Sequence, residues 1–265
     1  VSAGAATERP REPAAERLPV SVLLLTQDEE RHLAEWLAAV SWAAEIVVVD
    51  SGSTDRTVEL ARAGGAQIFE RRFDGFGSQR AYALAQCTQP WVLWLDADER
   101  LDDRALASLR SALAGQGITA YRVRRVGYFF GRRIRFCGWR EEWFLRLFRR
   151  EGARFNDKLV HESVVVPGPE GRLEGSLHHY SYETWQQCRR KLLAYGEANA
   201  RAAFQQGRRA SALDVAWRPP ARFIRQYLLQ LGFLDGAHGA VLCALSAGQV
   251  LLKYARLWSL SRERP

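Results

Sequence analysis

A chain of 265 residues with 47% apolar and 26% charged residues is long enough to bury a full core, which excludes a wholly disordered chain and a small disulfide scaffold. Its net charge of +8 calls for anionic partners, and nucleic acid, anionic lipid and a phosphorylated substrate all meet that description. The four cysteines, Cys87, Cys137, Cys188 and Cys243, lie far apart with no C-x-x-C pair, so neither a zinc site nor a disulfide framework is expected and a reducing cytosol suits them.

Residues 1–18, rich in Ala, Glu, Arg and Pro, lack the apolar core of a signal peptide and predict a disordered lead-in. Residues 20–25 form an apolar run of strand length, and 28–40 follow with helical spacing through Leu33, Trp36, Leu37 and Val40. A second strand over 45–49 ends at Asp50. Ser53 or Thr54 is placed to cap the next helix, with Asp55 in its first turn. A short strand over 67–70 and a helix over 77–87 come next. The run Trp91-Val-Leu-Trp-Leu-Asp96-Ala-Asp98-Glu99 then reads as a buried strand that ends in two carboxylates one residue apart. Residues just past the carboxyl end of such a strand face the ligand crevice of an open α/β sheet, and alternation lets Asp96 and Asp98 point to one side. Mg²⁺ takes one or two protein carboxylates and completes its shell with phosphate oxygens and water, so this pair suits a cation carrying a diphosphate. The bland alternative is that these acids cap the helix beginning near Asp102.

Strand alternating with helix four times predicts a mostly parallel sheet with helices on both faces. Neither a P-loop nor a G-x-G-x-x-G fingerprint is present. Beyond residue 118 the pattern changes. Residues 120–126, 144–148 and 159–166 read as mixed or antiparallel additions around an Arg- and aromatic-rich connection. From Tyr182 the chain turns helical, over 185–206, over 212–231 with a break at Pro219-Pro220, and over 239–258. No stretch reaches the roughly 18 to 20 uninterrupted apolar residues of a bilayer span, and the nearest, 240–252, is too short.

Charge is divided along the chain. Residues 21–121 hold nine Lys/Arg against fifteen Asp/Glu, whereas 122–150 hold ten Arg against Glu141 and Glu142, and 185–265 hold thirteen Lys/Arg against four acids. An acidic first half and a basic second half point to a metal-binding part and a part that meets something anionic. The last helices combine Phe, Tyr, Trp and Leu with Arg and Lys, which fits an interfacial helix on an anionic membrane and equally fits packing on the core.

The ordered blocks V20-SVLLLTQDE, E45-IVVVDSGSTD, G75-FGSQR and W94-LDADER resemble family 2 inverting glycosyltransferases of the GT-A fold. The later blocks G138-WREEWFLRLFRR, L159-VHES and G232-FLDG look like the bacterial lipopolysaccharide inner-core branch, whose members add glucose to core heptose. The resemblance runs over about residues 19–258. It implies a GT-A catalytic domain over 19–181, and the composition of the last helices adds a helical, membrane-associating region over 182–265. It further implies that Thr26, Glu29 and Asp50 hold the base and ribose of a nucleotide sugar, that Arg80 approaches the nucleotide, and that Asp96 supports ribose and metal. Asp98 would ligate a divalent metal, Mg²⁺ or Mn²⁺, and His161 would add a further ligand or a diphosphate contact. Two departures bear on the nucleobase: Ser51 replaces a second acid, and Asp28 stands where Asn is common.

Inverting displacement at an anomeric carbon needs a base for the acceptor hydroxyl and an electrophile for the departing phosphate. Glu142 is the candidate base, in an Arg-rich, Trp-flanked segment, while Glu141 falls where the core-type enzymes tend to have Pro. Arg146 or Arg149 would add positive charge at the diphosphate, and Trp139, with its aromatic neighbours, offers a flat face to an acceptor sugar. The expected partners are a UDP-sugar donor, an anionic glycolipid acceptor such as lipopolysaccharide core, and the cytoplasmic surface of the inner membrane. A polyprenyl-phosphate glycosyltransferase is the near alternative. A basic RNA-binding module without catalysis is the distant one, and no nucleic-acid motif supports it.

Overall fold

The computed structural model describes residues 17–139, 142–155 and 164–262. The expected lead-in, the expected ligand His161, Glu141 and most of the strand expected over 159–166 lie outside the described residues. Among the described residues, contacts give two compact units, one within 1–97 and 147–168 and one within 98–146 and 169–265.

In the first unit, β1 (Leu18–Thr26), β2 (Ala43–Asp50), β3 (Gln67–Glu70) and β4 (Trp91–Trp94) are parallel neighbours in the order β3-β2-β1-β4. Near-continuous apolar runs make these strands because both faces are covered, and Val22, Leu23, Val47, Val49, Val92 and Leu93 are fully buried. Each such side chain contributes about 1.5–3 kcal/mol by leaving water. The connecting helices are α1 (Glu30–Ala39), α2 (Thr57–Ala63) and α3 (Phe76–Gln86). Helix α1 buries Leu33, Trp36 and Leu37, the stripe its spacing predicts. Ser53 and Thr54 do not cap α2. That helix starts later, and the Asp55 carboxylate accepts from the Thr57 amide at 2.9 Å while Ser53 and Thr54 bond to neighbouring loops.

The strand β8 (Glu142–Arg149) enters this unit with its last three residues, antiparallel to β4, pairing Trp91 with Arg149 and Leu93 with Leu147. Two short strands complete the unit, β9 (Arg154–Phe155) and β10 (Val164–Val165), paired antiparallel.

The second unit carries β5 (Glu99–Leu101), β6 (Ala120–Phe129), β7 (Arg132–Arg133), β11 (Glu170–Tyr182) and α4 (Asp103–Ala114). Strand β11 runs parallel to β6 and antiparallel to β5, and β7 is antiparallel to β6. Neither β5 nor the 13-residue β11 is evident from local pattern, since β11 is rich in Gly, Glu, His and Ser and draws its stability from its partners. Asp102, not the pair before it, caps α4 by accepting from the Ala105 amide at 2.7 Å.

Helices α5 (Trp185–Gln205), α6 (Ala212–Ile224) and α7 (Gly236–Leu260) follow. Thr184 with Gln187 and Ser211 with Asp214 form capping boxes at the starts of α5 and α6. The expected break at Pro219-Pro220 is absent. Both prolines lie inside α6, which packs on α7 and buries Pro219. Packing thus outweighs a penalty of about 3 kcal/mol per interior proline. The helix continues into a π-turn over Arg225–Leu229 and a 3₁₀ turn over Gly232–Asp235. One helical stretch, Gly232–Leu260, is long and apolar enough to cross a membrane by length and composition, and 17% of its most apolar window is buried.

Candidate functional site

At the carboxyl ends of β1 and β2, Thr26 and Asp50 are register partners, and the Thr26 hydroxyl donates to Asp50 Oδ1 at 2.9 Å. Asp50 is 2% exposed. Its second oxygen accepts from the amides of Gly52 at 2.9 Å and Ser53 at 2.8 Å, and the Ser53 hydroxyl donates to Oδ1. A carboxylate offers about four acceptor positions, and here all four are taken. Gly52 sits at φ +92°, a conformation that an L side chain would strain. Asp28 also has positive φ, 56°, and its carboxylate accepts from the Thr54 amide at 2.7 Å. Asp tolerates this region nearly as well as Asn, so the departure at 28 keeps the turn. The Glu29 amide donates to Thr57 Oγ1 at 2.8 Å. The β1–α1 and β2–α2 turns are thereby stapled into one rigid rim.

Beyond β4, the Asp96 carboxylate accepts from Trp94 Nε1 at 3.2 Å, and its backbone carbonyl accepts from Trp36 Nε1 at 3.1 Å. Arg80, on α3 and 8% exposed, lies with its guanidinium 3.8 Å above the Trp94 ring and 4.0 Å from Asp96 Oδ1. Stacking on an indole holds a guanidinium in a fixed plane, ready for an anion. Arg149 is not brought to this rim. Its guanidinium stacks 4.3 Å over Trp91, at the amino end of β4 and about 16 Å along an extended chain from Asp96.

In the second unit, Asp98 has His179 Nε2 at 3.4 Å and Lys191 Nζ at 3.7 Å. The Tyr180 amide donates to the Asp98 carbonyl at 2.9 Å, and Lys191 also donates to the Ser181 carbonyl at 2.9 Å. Sequence reasoning missed His179 and Lys191, because β11 and α5 deliver them from far along the chain. The one available signal was the His178-His179 pair. Tyr182, beside Lys191, has its phenol pushed up to about 12, first by burial and further by Tyr195, Cys188 and Asp98. It stays neutral and can donate a hydrogen bond.

Arg146 is 3% exposed and pairs at 2.6 Å with Glu99, itself fully buried. Its charge is committed to the interior. Glu142 begins β8 with its side chain 64% exposed and Arg125 at 3.9 Å, and Arg125 in turn stacks 3.9 Å over Phe144. Trp139 lies half-buried beside Tyr182, with ring centroids 6.1 Å apart. Among the described residues no three His, Cys, Asp or Glu converge as a ready-made metal cage.

The profile of glycosyl transferase family 2 matches residues 21–165. The lipopolysaccharide core biosynthesis glycosyltransferase LpsC of Rhizobium meliloti (strain 1021) is 33% identical over 255 residues, covering 90% of this chain and 94% of its own. An uncharacterized glycosyltransferase of Rickettsia typhi is 26% identical over 255 residues, 91% of this chain and 87% of its own. Among solved structures, glucosyl-3-phosphoglycerate synthase from Mycobacterium tuberculosis, in complex with Mn²⁺, uridine diphosphate and phosphoglyceric acid, is 24% identical with a TM-score of 0.35. That match covers 47% of this chain and 50% of the other, so the chain spans about half the length of the solved structures it matches.

Proposed function

The chain belongs to glycosyl transferase family 2, and from that premise we propose that it transfers glucose from UDP-glucose, with inversion, to a heptose of the lipopolysaccharide inner core. The observation that carries this reading is the 33% identity to LpsC over 90% of the chain, since LpsC is a lipopolysaccharide core enzyme. The rigid rim at Thr26, Glu29 and Asp50 supports it, as does the stacked Arg80. In this reading the stapled turns receive base and ribose, with Asp50 shaping the turn through its four hydrogen bonds. Arg80 meets the diphosphate charge, and Asp96 meets the ribose. Glu142, open to solvent, takes the proton of the attacking acceptor hydroxyl, and Trp139 presents a flat face to an acceptor ring.

A divalent cation fits the chemistry of the donor set. Asp98 offers hard carboxylate oxygens, and an ion held by one or two such groups completes its shell with diphosphate and water. When bound there, Mg²⁺ or Mn²⁺ supplies Lewis-acid neutralisation of the leaving diphosphate. Asp98 is the residue that would hold it, with His179 at 3.4 Å and Lys191 at 3.7 Å fixing the carboxylate in place.

The cytoplasmic face of the inner membrane is the proposed location. Leu213, Trp217, Leu229 and Leu234 are 74%, 63%, 77% and 53% exposed on the C-terminal helices and turns, close in sequence to Arg218, Arg222 and Arg225. That pairing of apolar and basic groups suits an anionic lipid surface.

The test is a UDP-release assay with a panel of nucleotide sugars, on intact and delipidated core acceptors, with and without Mg²⁺ or Mn²⁺. Release only with UDP-glucose, a heptose-bearing acceptor and a divalent cation is the expected result. Asp98→Ala should abolish the metal response. Undiminished turnover in chelator, or a polyprenyl phosphate serving as the sole acceptor, would overturn the proposal.

A further inference from the structure

We propose that a cavity in the second unit binds one sugar ring of the acceptor, held between the Trp139 and Tyr182 rings and the side-chain amides of Gln226, Gln230 and Gln249. The inference rests on the reading of the chain as a transferase with a glycan acceptor and names where one ring of that acceptor is held. The cavity has a volume of about 220 Å³, and Arg222 also lines it. Drug-sized ligands occupy about 300–1,000 Å³, so this space takes a single small ring rather than an oligosaccharide.

Gln226 is the telling residue. It is 3% exposed, and its Nε2 donates to the Cys137 carbonyl at 3.0 Å. Its Oε1 is buried with no hydrogen-bond partner among the described residues. An unsatisfied buried amide oxygen is costly, and a ligand hydroxyl would relieve it. Gln226 also lies in the π-turn over Arg225–Leu229, a distortion common where a helix serves a ligand.

The segment that Gln226 bonds to is preorganised. Asp235 accepts from the amides of Arg135 at 3.1 Å and Phe136 at 2.9 Å, and the Cys137 amide donates to the Gln230 carbonyl at 3.2 Å. Gly138 has φ +76°, and an added Cβ would sit 2.3 Å from Gln230 Oε1. Gly127 leaves room for the Trp139 ring, whose Cε3 would lie 2.7 Å from a Cβ at that position. The ring is therefore set in place before any ligand arrives.

The lining also decides the class of ligand. Among the described residues it offers no carboxylate to hold a cation, and one guanidinium does not make a diphosphate cradle. Flat aromatic faces with uncharged amides and the Ser246 hydroxyl match the apolar face and hydroxyl rim of a pyranose. Arg222 suits an anionic substituent on that ring. A sugar ring could come from the acceptor or from the donor, and the test separates the two.

Saturation-transfer NMR on the full chain, with free glucose and a free heptose as probes, is run beside calorimetric UDP binding. The variants are Ser246→Phe, which fills the cavity from α7, and Gln249→Leu, which removes one amide. Saturation of the heptose probe should fall about tenfold or more in either variant, UDP affinity should hold within about twofold, and the acceptor KM should rise about tenfold with the donor KM unchanged. Unchanged probe saturation in both variants overturns the proposal, as does a rise in the UDP-glucose KM instead of the acceptor KM. If Ser246→Phe fails to fold, Gln249→Leu decides by the same readouts. Heptose binding that Ser246→Phe abolishes, in a chain that turns over no nucleotide sugar, would uphold the cavity and sink the transferase reading.

Discussion

At the carboxyl ends of β1 and β2 the acids are occupied: Asp50 has all four acceptor positions filled, and Asp28 and Asp55 hold backbone amides of their own and neighbouring turns. In the second unit Glu142 stands with its side chain 64% exposed and Arg125 at 3.9 Å. The first arrangement makes a surface rigid at the cost of its carboxylates' freedom. The second leaves a carboxylate open to solvent. The second unit also has an occupied acid, Glu99, sealed against Arg146, so position in the fold rather than residue type decides which role a carboxylate takes.

Four changes would sharpen or break that contrast. Glu142→Gln should lower kcat by about 10²–10⁴-fold with UDP-glucose affinity and thermal midpoint unchanged, and near-normal single-turnover rates would remove Glu142 from the reaction. Arg146→Met should destabilise the fold by about 3–5 kcal/mol in denaturant unfolding, because it strands the Glu99 charge, while Glu99→Leu with Arg146→Met should recover most of that loss. A single variant as stable as wild type would show that Arg146 is not a structural group. Asp50→Asn should cost about 1.5–3 kcal/mol through weaker bonds to Gly52 and Ser53, and should weaken UDP binding with little change in the rate of the bound complex. A selective fall in kcat would contradict a shaping role.

The smallest effect concerns Glu45. Burial would raise its pKa, but hydrogen bonds from the Ser21 hydroxyl and from the Thr88 amide and hydroxyl outweigh it and hold the group below the usual glutamate range. A folded pKa lowered relative to the unfolded chain contributes stability above the unfolded value, about 4.3, and that stability is lost as pH falls through the folded value. Glu45→Gln should therefore flatten the loss of stability in acid and cost about 1 kcal/mol at neutral pH. Urea midpoints from pH 7 down to pH 3 measure it, and parallel pH curves for the two proteins would contradict the assignment.

The parallel strands and α1 to α4 were readable because each is a local pattern, an apolar run or a stripe at helical spacing. The elements that were not readable share one cause. Strand β11 carries a polar composition that becomes a strand only between β6 and β5, and α6 runs through two prolines because it packs on α7. The motif blocks likewise identified the family, yet Arg146 and Arg149, which looked equivalent in one Arg-rich run, went to a buried ion pair and to the amino end of β4.

Composition, spacing and motif order by themselves determined the α/β class, the carboxyl-rim location of Asp50 and Asp96, and membership in a transferase family. Those features are short-range, and hydrophobic period and chain order encode them directly. Only the tertiary structure decided that His179 and Lys191 flank Asp98, that Asp50 has no acceptor position to spare, and that Gln226, whose Oε1 has no partner among the described residues, lines a cavity of about 220 Å³. Each of these depends on the register and packing of segments distant in the chain, which no local pattern specifies.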